Sequence, residues 1–96
     1  MDWIRFLQGV GEVAQGTASV MAVRRLLDLD DNTAFARIAD FVESSGTAEI
    51  DAFDGVLLST ATGEIDLHAR ARLIKFYAFF KMLEYMKFNR FRGFPH

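Results

Sequence analysis

The chain has 96 residues, a formal net charge of −2, no cysteine and ten phenylalanines. That length allows one domain, and the lack of cysteine excludes disulfides, thiolate metal sites, iron–sulfur clusters and thiol catalysis. The hydrophobic share of 51% exceeds the roughly 45–50% usual for soluble domains, so either the core is densely aromatic or apolar surface is covered by a partner or a second copy. A small secreted domain usually needs disulfide staples, which makes an intracellular, cytoplasmic protein the expectation.

Charge is unevenly laid out. Residues 28–66 hold ten acids and a single cation, Arg37, whereas residues beyond 66 hold seven cations and a single acid, Glu84. The opening stretch MDWIRFLQGVGEVAQG has an acid at position 2, and Arg5, Gln8 and Glu12 break its apolar runs. It is not expected to act as a signal peptide. No window reaches the 18 or so apolar residues of a simple membrane span.

Helical period begins at once. Arg5, Gln8, Glu12, Gln15 and Ser19 recur every three or four residues, opposite Trp3, Phe6, Val10, Val13, Val20 and Met21. The pattern predicts a first helix over 2–29. Gly11, Ala14, Ala18 and Ala22 form a line of small side chains along it, suited to close approach of another helix. The segment DLDDNT offers Asp30, Asp31 or Asn32 as a cap, and a second helix is expected over 33–44. SSGT ends it, with Gly46 as a left-handed C-cap and Thr47 as the next N-cap. A third helix is expected over 48–59 with Glu49 in its first turn, where the helix dipole favours an acid. TATG breaks the pattern again. A fourth helix is expected over 64–91, nearly apolar all round between residues 73 and 86 and therefore central, with a tail at 92–96 after it. The reading is an all-α, single-domain bundle of about four helices with a long, apolar C-terminal helix.

Specific chemistries fare poorly. DLDDNTAFARIA starts like a calcium loop, but Thr33 stands where the turn needs glycine and Ala39 where it needs a bidentate glutamate. The second and third helices have the lengths of a helix-turn-helix, yet the recognition helix would present Glu49, Asp51 and Asp54 to phosphates, which is the wrong sign. His68 and Glu64 form one exposed pair, short of the three or four ligands of a zinc site. No nucleophile–base spacing and no phosphate-binding glycine loop is present. The expectation is a protein that is not an enzyme, with no metal and no cofactor.

The end of the chain, EYMKFNRFRGFPH, alternates aromatics and cations. On a helix Lys87 and Arg90 share one stripe and Phe88 and Phe91 the next, with Arg92 and Phe94 following. These six residues are the candidate partner-binding set, because Phe, Tyr and Arg are enriched at protein interfaces. The function expected from sequence is therefore a small interaction or assembly protein: an accessory subunit, adaptor or contact inhibitor docking on a protein partner or on itself through this helix end. The alternative is peripheral binding of nucleic acid or an anionic membrane by the basic C-terminal third.

Overall fold

The computed structural model describes the backbone of residues 15–89 and the side chains of residues 21–89. The described chain is all-helical: α1 (Gln15–Leu26), α2 (Asp31–Ser44), α3 (Thr47–Thr62) and α4 (Leu67–Phe88). The connections are two to four residues long, short enough to fold successive helices back against one another. α4 packs on α2 and on α3, and α3 also packs on α1.

The helix ends follow local chemistry, with three departures from expectation. Asp30 caps α2, accepting from the Thr33 amide at 2.8 Å and from the Thr33 hydroxyl at 2.9 Å. Both bonds, the amide first, hold the Asp30 carboxyl below its ordinary range. Asp66 caps α4 in the same way, accepting from the Ala69 amide at 2.9 Å, so α4 begins at Leu67 and not near Glu64. α3 runs on to Thr62, past the expected break in TATG, with the Thr60 and Thr62 hydroxyls donating back to the carbonyls of Val56 and Leu58. α4 ends at Phe88, where Asn89 takes the left-handed conformation (φ 53°), three residues before the expected end. Asparagine is among the few non-glycine residues that adopt this cap readily.

Gly46 is the main correction. It is not a left-handed C-cap. Its φ of −87° is extended, and it stands at the N-cap of α3 with Thr47 already helical. The open carbonyls at the end of α2 are met from across the molecule, where the Lys87 ammonium donates to Val42 O at 2.7 Å, Glu43 O at 2.8 Å and Ser45 O at 2.7 Å. A lysine from another helix thus supplies what a C-terminal glycine motif would.

The core is aromatic. Phe53 of α3 lies 4.8 Å from Phe41 of α2 and 5.0 Å from Phe80 of α4 between ring centroids. Phe35 meets Phe76 edge-on at 5.6 Å and Phe79 at 4.7 Å. Ala22, Val23, Leu26, Ile38, Ile50, Leu57 and Leu73 fill the space around the rings. Of the expected small-residue line, Ala22 is fully buried on a helix that packs against α3. The side chain of Ala18, and Gly11 and Ala14 altogether, lie outside the described residues.

Gly55 interrupts α3 on its exposed side, and a Cβ there would meet nothing within 4 Å. Glycine in a helix interior costs about 0.5–1 kcal/mol relative to alanine. Gly55→Ala is therefore expected to raise the melting temperature by a few degrees, as read by circular dichroism. A fall would mean that α3 is not helical at that point.

Candidate functional site

The buried face of α4 carries charge beside the core residues Leu73, Phe76 and Phe80. Lys81 and Glu84 are each 1% exposed, and the Lys81 ammonium lies 2.8 Å from Glu84 Oε1 and 2.5 Å from Asp54 Oδ2 of α3. The other oxygen of Asp54 accepts from the Tyr77 hydroxyl at 2.9 Å. Burial, and after it the bond to Asp54, push the Tyr77 hydroxyl above the ordinary tyrosine range, so it stays a donor. Buried charges survive only when paired and hydrogen-bonded, and the Lys81 ammonium meets that condition across the α3–α4 seam.

The outer face of the same helix carries further apolar side chains. Leu67, Ile74, Met82, Tyr85 and Met86 are between 46% and 77% exposed, and Ala71 and Ala78 are exposed between them. Their spacing of three and four keeps them on one side of a helix of 3.6 residues per turn. The stripe runs the length of α4, about 33 Å at 1.5 Å per residue. Among the described residues, helices therefore flank α4 on one side, where α2 and α3 pack on it, and do not surround it as the nearly continuous apolar run from 73 to 86 suggested. At its C-terminal end Met86 borders an open groove of about 410 Å³ between α2 and α4, lined otherwise by Ala39, Val42, Glu43, Leu83 and Lys87.

The cations of α4 are already engaged. Arg72 donates to Leu27 O at 3.0 Å, Leu29 O at 2.6 Å and Asp31 Oδ1 at 3.1 Å, which fastens the α1–α2 turn. Lys75 donates to Asp31 Oδ2 at 2.7 Å. Lys75 first and Arg72 second hold the Asp31 carboxyl below its ordinary range. Arg70 donates to Gly63 O at 2.8 Å. With Lys87 at the far end of α2, the cations of α4 clip both ends of that helix.

Of the six sequence-derived partner-binding residues, the structure therefore places Lys87 on the α2 carbonyls and Phe88 half-buried against the core, 5.2 Å from the Lys87 ammonium. Arg90, Phe91, Arg92 and Phe94 lie outside the described residues. Sequence reading passed over the apolar stripe that starts at Leu67. Its spacing was visible, but apolar residues occur nearly all round α4, so periodicity did not say which side would be covered. Among the described residues no group of three or more metal-ligating side chains comes together, and no helix is long and apolar enough to cross a membrane.

No family model matches the chain, and neither the curated proteins nor the solved structures contain a significant match.

Proposed function

We propose that this is a non-enzymatic interaction or assembly protein that docks through the exposed apolar face of α4 onto an apolar surface of a protein. One observation carries this reading: Lys81 and Glu84 of α4 are buried with Asp54 of α3, while Leu67, Ile74, Met82 and Met86 point out. A contiguous apolar stripe of this length is uncommon on a free surface and marks an interaction site. The docking surface expected from the helix end is thereby moved along α4, with Met82, Tyr85 and Met86 as its C-terminal portion.

Adsorption to nucleic acid or to an anionic membrane asks for available cations beside the apolar residues. Arg70, Arg72, Lys75, Lys81 and Lys87 are all held by acceptors of the protein itself, which favours a protein surface as the occupant. An intracellular site of action fits a small core without cysteine.

Hydroxyl-radical footprinting tests the reading, because methionine thioethers oxidise readily when exposed. Met82 and Met86 of the native protein in concentrated cell extract should be several-fold slower to oxidise than in the purified, dilute protein. Equal rates in the two states would show that nothing covers the face, and the reading would fall.

A further inference from the structure

The open face of α4 has an internal order that selects its occupant. From its first turn it reads large, small, large, small, large: Leu67, Ala71, Ile74, Ala78, Met82, ending at Tyr85 and Met86. Resting on the docking reading above, we propose that the occupant is a second copy of this chain, with the two α4 helices packed antiparallel about a two-fold axis between residues 76 and 77.

That arrangement sets Ala71 opposite the second copy's Met82, and brings Ile74 to within one residue of its Ala78. Leu67 meets the Tyr85–Met86 end. Each small side chain thus faces a large one, so the two surfaces interdigitate as helix packing requires. Two-fold pairs need such self-complementarity, because the same patch serves both sides. A parallel pair sets Ala71 on Ala71 and Ile74 on Ile74, leaving gaps and bulges in alternation.

Burying the whole stripe would remove at most roughly 600 Å² per copy and about 1,200 Å² per pair, which reaches the lower end of the range for specific, stable interfaces. Charge does not oppose the pairing. The two Lys75 ammoniums approach near the axis, but each is held by its own Asp31 at 2.7 Å and is half exposed, so it can stay in water.

The test uses the full chain, purified. Sedimentation velocity at micromolar concentration should show a dimer. Ile74→Lys adds like charges beside the two Lys75 ammoniums near the axis and should weaken association by at least about tenfold, a factor equivalent to 1.4 kcal/mol. Its helical content and melting should hold, because Ile74 is exposed. Register is read by cysteine pairs, since the chain has no cysteine of its own. Mixing Ile74→Cys with Ala78→Cys chains should give disulfide-linked pairs under mild oxidation, while Leu67→Cys alone should not, its two copies being about 28 Å apart along the helices at 1.5 Å per residue. A monomer throughout, or rapid Leu67→Cys pairing, would overturn the proposal. A monomeric purified protein whose Met82 and Met86 are still protected in extract would overturn self-pairing alone, leaving the docking face to a different protein.

Discussion

Lys81→Met is expected to destabilise the fold by about 3 kcal/mol, the scale found when one partner of a buried ion pair is removed. The ammonium is 1% exposed and lies within 2.8 Å of carboxylates from Asp54 and Glu84. Methionine fills similar volume, so the loss comes from two carboxylates left in a poorly solvated seam and not from a cavity. A companion variant separates these causes. Lys81→Met with Glu84→Met and Asp54→Asn removes the buried charges and keeps an acceptor for the Tyr77 hydroxyl. It should recover most of the loss, because replacing a whole buried ion network by apolar groups is often neutral or better. Chemical denaturation gives both numbers. A single variant within about 0.5 kcal/mol of the parent would show that the cluster is solvated, since surface pairs are worth little.

Phe53→Ala is expected to destabilise by about 3–5 kcal/mol, the range for deleting a buried phenylalanine ring. Phe53 is 2% exposed and joins three helices, with Phe41 of α2 at 4.8 Å and Phe80 of α4 at 5.0 Å. The lost side chain forfeits transfer energy, aromatic contacts and the packing of the cavity it leaves. A domain of this size holds about 5–15 kcal/mol in all, so the variant should be close to unfolding at 37 °C. Phe53→Leu, which keeps most of the volume, should retain a cooperative melt. Equal losses from alanine and leucine would mean that the ring's shape, not its volume, decides the core.

The helices were legible because their signals are local. Asp30 sits one residue ahead of the α2 helix, and its carboxylate needs to reach only as far as Thr33. Phe35, Ile38, Phe41 and Val42 recur at helical spacing and face the core as that spacing requires. The cluster around Lys81 and Glu84 was not legible for the same reason: nothing within α4 announces that Asp54, 27 residues earlier, completes it. Lys87 read as a docking cation, because its acceptors are backbone carbonyls more than 40 residues away and a carbonyl carries no signature in sequence.

By itself the sequence determined that this protein is all-helical, where its helices roughly lie, and that its apolar share is large for its length. Those properties follow from spacing, capping and composition, which act within a few residues of one another. Tertiary structure alone decided which side of α4 is covered. That helix is apolar nearly all round, so either side could have gone inward on hydrophobic grounds alone. The choice fell to Asp54, which draws Lys81 into the α3 seam, and to Asp31 and the α1–α2 and α2–α3 turns, whose acceptors hold Arg72, Lys75 and Lys87. With these polar groups satisfied against α2 and α3, Leu67, Ile74, Met82 and Met86 are turned to the outside, and that exposure goes with long-range pairing that no local pattern encodes.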